Sequence, residues 1–204
     1  MEKLIVDMDD VLCQKGYIRM INEFLNKEYN EEDANSYYIN DLIPKSKLED
    51  WIEFYSKKNV YDYVDIAENS QEVMKKLNEK YDVYIATSYV FRDAPKVSGK
   101  TLNDKYNFLC KNFPFLDPHK FIFIYNKELL EADIRIDDSP NKLIGKAKLK
   151  LLFTAYHNKN MADEELKENN FIRVNNWKDI YNEIEKYKKE FSKCSVTIDV
   201  KQKK

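Results

Sequence analysis

Short apolar runs alternate with helical-period stretches along most of this chain. Leu4, Ile5 and Val6 are consecutive and apolar, which predicts a strand buried on both faces. Ile18, Ile21, Phe24 and Leu25 then fall at helical spacing, as do Leu48, Trp51, Ile52 and Tyr55, with the polar stretch "NEEDANSYYINDLIP" between the two sets. No strand pattern is seen between about residues 14 and 59, so this region reads as a helical insertion, with Tyr37, Tyr38 and Trp51 as its core. Beyond it the alternation is regular. "SQEVMKKLNEKY" predicts a helix capped by Ser70, "DVYIATS" a strand, and "KTLNDKYNFLCKNF" a helix. "KFIFIY", "ADIRIDDSP" and "LKLLFTA" predict three more strands, "FIRV" a short extra one, and "WKDIYNEIEKYKKEF" a closing helix. The sum is an α/β protein with a parallel sheet flanked by helices. Residues 1–13 and 76–190 form the core and 14–75 a helical cap; residues 191–204 read as a flexible tail.

Composition narrows the function classes. A chain of 204 residues suffices for one domain plus a small inserted subdomain. A net charge of −2 argues against general affinity for nucleic acid or an anionic membrane, and no apolar stretch approaches a membrane span. The opening "MEKLIVDMDD" meets acid where a secretory leader would stay apolar. Cys13, Cys110 and Cys194 match no metal or redox spacing, which suits a reducing, cytoplasmic compartment. His119 and His157 are too few and too separated for a histidine-based metal site.

The chemistry lies where polar residues interrupt the strands. Asp7, Asp9 and Asp10 follow the first strand, Thr87 and Ser88 end the second, Lys127 follows the third, and Asp137 and Asp138 end the fourth. In a parallel sheet all of these sit at the carboxyl edge, where open α/β folds bind ligands. Two carboxylates at close range repel by about 4 kcal/mol at an effective dielectric of about 20, so such a cluster needs compensation. Mg²⁺, which takes a few carboxylate oxygens and retains water, is one means. An aspartate can also attack phosphorus, a second can move the proton, and threonine and lysine can hold the phosphoryl oxygens. Taken singly, each residue has a plainer reading: "DDSP" as a turn, Thr87 as an ordinary strand residue, Lys127 as a solvated lysine. Their order along the chain sets the catalytic reading above these.

At these residues the chain resembles the haloacid dehalogenase (HAD) superfamily of phosphotransferases. "DMDDVL", "YIATS", Lys127 and "IDDSP" are similar to its four motifs. More narrowly it resembles the 5′(3′)-deoxyribonucleotidases, through "DKYNFLCKNFPFLDP", "YNKELLEADIRIDDSP", "LLFTAYHN" and "NNWKDI". The resemblance runs from about residue 3 to 185 and is weakest in the insertion. It implies a Rossmann-like core with a helical cap, Mg²⁺ as cofactor and a small nucleotide as substrate. Asp7 would be the nucleophile and Asp9 the general acid and base. Asp7, the backbone carbonyl of Asp9, and Asp138 would hold the metal, with Asp137 in support. Thr87, Ser88 and Lys127 would bind the phosphoryl group. Asp10 departs from the family's usual glycine, and Lys15 from an expected aromatic; Tyr17 and Tyr61 are the candidates for stacking on the base. Pyrimidine deoxyribonucleotides are the expected substrates, and a homodimer is left open.

Three alternatives stand beside this reading: a phosphatase of another small ester such as a sugar phosphate, a catalytically silent binding protein on the same scaffold, and a 3′-phosphatase of DNA ends. The last is disfavoured by the near-neutral charge. Cys13 reads as a packing residue, and His157 as structural or as a support to the residues that touch the ligand. Arg92, Lys96 and Lys100 read as cations of a mobile loop that is mostly solvated.

Overall fold

The computed structural model describes residues 1–34, 37–91 and 94–201, with side chains as far as residue 190. Arg92 lies outside the described residues. Strand β1 (Lys3–Val6) is followed by a two-residue strand, β2 (Cys13–Gln14), which pairs antiparallel with β3 (Asp65–Ile66). The remaining strands are β4 (Asp82–Thr87), β5 (Phe121–Phe123), β6 (Ile134–Asp137), β7 (Leu149–Phe153) and β8 (Ile172–Val174). With β1 they form a six-stranded sheet in the order β5-β4-β1-β6-β7-β8, every pairing parallel. The six predicted strands are all present, in an α/β sheet flanked by helices.

Register explains the site. Val6 pairs with Ile85 on one side and Ile136 on the other, and the Asp7 N–H donates to the Ile136 carbonyl at 2.9 Å. Asp7 therefore leaves the sheet level with the ends of β4 and β6. Leu4, Val6 and Ile134 are fully buried, as a central parallel strand requires.

The helices are α1 (Gly16–Leu25), α2 (Leu48–Lys57), α3 (Ser70–Asn78), α4 (Ser98–Asn112), α5 (Asp163–Glu168) and α6 (Trp177–Lys201). Trp177, buried at the start of α6, donates from Nε1 to the Val11 carbonyl at 2.9 Å and pins the turn after β1 from beneath. Helix α6 continues to Lys201, past the expected start of a loose tail; no glycine or proline interrupts it.

The cap consists of α1, α2 and short 3₁₀ turns, joined to the core through the β2–β3 ribbon. That ribbon was not expected, because two-residue strands leave no periodic signal. It brackets residues 15–64, and α3 packs on β4 and α6, so the insertion ends before the expected limit at residue 75. Trp51 is buried and packs on Phe24 at 5.4 Å between ring centroids, as expected of cap core. Tyr37 and Tyr38 are not cap core: they are 46 % and 62 % exposed. Ser70 is the first residue of α3 rather than its cap; Asn69 holds that place with a left-handed φ of 62°.

Candidate active site

The turn after β1 gives two neighbouring aspartates different surroundings. The Met8 carbonyl accepts the N–H groups of Val11, Leu12 and Cys13, which folds the chain back tightly over Asp9 and Asp10. Asp10 sits at a φ of 56°, the region glycine occupies most readily, which accounts for the glycine expected there.

Asp7 and Asp137 share one lysine. Lys127 Nζ lies 2.7 Å from Asp7 Oδ1 and 2.6 Å from Asp137 Oδ2, and all three residues are buried. Burial alone would lower the Lys127 ammonium, but Asp137 and Asp7 outweigh it and push its pKa up. Burial raises the Asp137 carboxyl to about 6 despite Lys127. Its Oδ1 also accepts the Ser139 N–H at 3.0 Å. The lysine is held by its own backbone: the buried Arg135 guanidinium donates to the carbonyls of Lys127 and Leu130, and so fixes the loop that carries it.

Asp138 pairs with a histidine rather than with that lysine. Its Oδ2 lies 2.6 Å from His157 Nε2, and Asn158 Nδ2 donates to its carbonyl at 2.7 Å. Burial, then Asp137 and Asp7, hold the Asp138 carboxyl well above the usual carboxylate range, while burial pushes His157 down to about 4. His157 thus contacts the Asp138 carboxyl directly.

Carboxylate oxygens of Asp7, Asp137 and Asp138 lie within 4.8 Å of one another, and Asp10, Asp138 and His157 form a second such group. An oxygen-rich set that Lys127 alone does not neutralise fits a small, hard divalent cation. Asp7 and Asp138 fit as its protein ligands: Lys127 takes only one oxygen of Asp7, whereas both oxygens of Asp137 are engaged, by Lys127 and by the Ser139 N–H.

Asp9 is held from two other directions. Tyr61 donates from its hydroxyl to Asp9 Oδ1 at 3.0 Å, and Lys105 pairs with Asp9 Oδ2. Lys105 Nζ also donates to Thr87 Oγ1 at 2.6 Å, which ties the end of β4 to the turn after β1. Sequence reasoning missed Lys105. A signal was there: Thr101, Asp104, Lys105, Phe108 and Leu109 share the buried face of α4, and a lysine in phase with that face is unusual.

The described residues named in advance at the strand ends, Asp7, Asp9, Thr87, Ser88, Lys127, Asp137 and Asp138, therefore meet at one edge of the sheet. Tyr17 and Tyr61 line a small adjoining cavity between core and cap, of about 30 Å³, together with Asp9, Asp10, Glu31 and Tyr156. Tyr17 is partly buried against Tyr55, its ring nearly parallel at 6.3 Å; the Tyr61 ring packs on Phe108 at 5.2 Å. Lys96 is exposed, and Lys100 donates to the Lys58 carbonyl and pairs with Asp104, so it fastens the cap to α4. At the mouth of the site, Tyr37 lays its ring edge-on against His157 at 4.8 Å, and its carbonyl accepts the Tyr156 hydroxyl at 2.8 Å.

The family model described as "5' nucleotidase, deoxy (Pyrimidine), cytosolic type C protein" matches residues 2–190. A protein of Staphylococcus epidermidis named "Putative 5'(3')-deoxyribonucleotidase" is 33% identical over 190 residues, covering 91% of this chain and 98% of that protein. The "5'(3')-deoxyribonucleotidase" of Bacillus subtilis is 30% identical over 183 residues, covering 88% of this chain and 97% of that protein. A crystal structure of a "Putative Phosphatase" from Clostridium difficile shares the fold, with a TM-score of 0.50 at 18% identity over 88% of this chain and 98% of that one. With its four strand-edge motifs gathered in one crevice and the family match running over nearly its whole length, the chain belongs to the cytosolic type C family of deoxy (pyrimidine) 5′ nucleotidases and is a phosphoric monoester hydrolase.

Proposed function

We propose that this protein is a Mg²⁺-dependent 5′(3′)-deoxyribonucleotidase that hydrolyses pyrimidine deoxyribonucleoside monophosphates through a phosphorylated Asp7. One observation carries the reading: Asp7 and Asp9 lie on one turn yet are held apart in role, Asp7 beside buried Lys127 and Asp9 beside Lys105 and Tyr61. That pairing suits one aspartate for attack and the other for proton transfer.

In the first step an Asp7 carboxylate oxygen bonds to phosphorus, and the bond from phosphorus to the sugar oxygen breaks. The electron pair leaves with that oxygen, which takes a proton from Asp9. In the second step Asp9 takes a proton from water, the water oxygen bonds to phosphorus, and the bond to Asp7 breaks to release phosphate. Lys127 offsets the charge on Asp7 throughout, while Thr87 and Ser88 bind the phosphoryl oxygens. Asp7, Asp138 and the Asp9 carbonyl would hold Mg²⁺, which would supply positive charge to the transferring phosphoryl group. The cap opens to seat the nucleoside beside Tyr17 and Tyr61 and then excludes bulk water. The free thiols of Cys13 and Cys110 suit a reducing, cytoplasmic setting.

The test is phosphate release from a panel of 5′- and 3′-nucleoside monophosphates, with Mg²⁺ or with chelator. Metal-dependent release favouring dUMP or dTMP supports the reading. Equal release from nucleotides and sugar phosphates contradicts the nucleotide assignment and leaves the phosphatase chemistry.

A further inference from the structure

Tyr61 belongs to the cap, on the 3₁₀ turn Val60–Asp62, yet its hydroxyl reaches the core's Asp9. Lys105 approaches the same carboxylate from α4 and is itself fixed by Thr87. The two donors occupy different oxygens, so the carboxylate is gripped at both ends, one end by each part of the molecule. A lysine is a point charge on a flexible stem and leaves a carboxylate free to turn; a second donor on the other oxygen fixes its plane.

The turn that delivers Tyr61 is braced from several sides. Asn59 Oδ1 accepts the Tyr61 N–H at 3.0 Å, Lys100 donates to the Lys58 carbonyl, and the hydroxyls of Tyr55 and Thr101 lie 3.0 Å apart. The Tyr61 ring rests on Phe108, three residues along α4 from Lys105. Gly16 allows the start of α1 to approach this turn: a Cβ there would lie 2.6 Å from Val64 Cγ1 and 3.0 Å from the Val60 carbonyl oxygen. These supports converge on the placement of one hydroxyl.

We propose that Tyr61 is a positioning residue for Asp9: its cap-borne hydroxyl fixes the carboxyl plane from which the leaving sugar oxygen is protonated, so that proton transfer is efficient only with the cap engaged. The inference rests on the assignment of Asp9 as general acid. It differs from base stacking, which needs the ring and not the hydroxyl.

The experiment compares Tyr61→Phe with the unaltered full chain, measuring kcat/KM on dUMP and on p-nitrophenyl phosphate. The first leaves as an alkoxide that needs a proton, the second as a stable phenolate that does not. The expected result is a fall of about tenfold on dUMP with a change of under about twofold on p-nitrophenyl phosphate, and an unchanged inhibition constant for deoxyuridine. Equal losses on both substrates, or a loss confined to deoxyuridine binding, overturn the inference and leave Tyr61 as packing or as a stacking surface. Asp9→Asn is assayed in parallel. If its loss is larger on dUMP than on p-nitrophenyl phosphate while Tyr61→Phe shows no such difference, the inference alone fails. If Asp9→Asn itself does not discriminate, the assignment of Asp9 fails and the inference falls with it.

Discussion

The sheet edge and the cap reach the same reaction centre by different physical means. At the edge, Asp7, Asp137 and Asp138 are buried at the ends of the central strands β1 and β6, and the ion pairs of buried Lys127 with Asp7 and Asp137 are shielded from water. The cap grips the core through aromatic contacts, hydrogen bonds and half-exposed pairs such as Lys159 to Glu32, whose side chains are 38 % and 78 % exposed. Buried pairs cannot be broken cheaply, whereas exposed ones contribute little. The chemistry is thereby built on buried ion pairs of the core, while the cap is held over it by a mixture of buried and exposed contacts.

Four substitutions test that contrast. Asp7→Asn removes the nucleophile while keeping its shape, and turnover is expected to fall by at least about a thousandfold with an unchanged circular dichroism spectrum. Turnover near that of the unaltered protein, in a preparation free of contaminating phosphatase, would remove Asp7 from the mechanism. Lys127→Met leaves Asp7 and Asp137 buried without their shared cation. It should cost about 3–5 kcal/mol in urea unfolding and at least about a hundredfold in turnover; a melting curve like that of the parent would show that the pair matters less than its burial implies. Gly16→Ala forces the cap turn away from α1, with a stability cost of about 1–3 kcal/mol and a loss of turnover on nucleotides. Full activity in that variant would show that the cap turn need not sit where it is. Glu32→Gln breaks an exposed pair across the mouth of the site, and KM is expected to change by less than about twofold. A large rise in KM would make that latch part of substrate capture.

The same contrast governs what could be read from the sequence. Asp7, Asp9, Thr87, Lys127 and the Asp137–Asp138 pair were legible because each follows a short apolar run, and a parallel sheet brings all such positions to one edge. Lys105 was not legible in the same way: only its phase on α4 marks it, and its partners Asp9 and Thr87 come from distant segments. Tyr37 and Tyr38 look like core residues by composition, but the short 3₁₀ turns around them bury no continuous face. The β2–β3 ribbon is set by chain closure at the neck of the cap rather than by side-chain pattern. Strand-edge chemistry has a local signature; contacts between the cap and the core do not.

The central claim is that Asp7 becomes covalently phosphorylated. The most direct measurement is to mix the protein with dUMP and Mg²⁺, quench with acid within the first turnover, reduce any acyl phosphate with borohydride, and map the modified peptide by mass spectrometry. The account predicts conversion of residue 7 alone to homoserine, absent when dUMP is omitted. Turnover without any reduced carboxylate, or reduction at another aspartate, would contradict it.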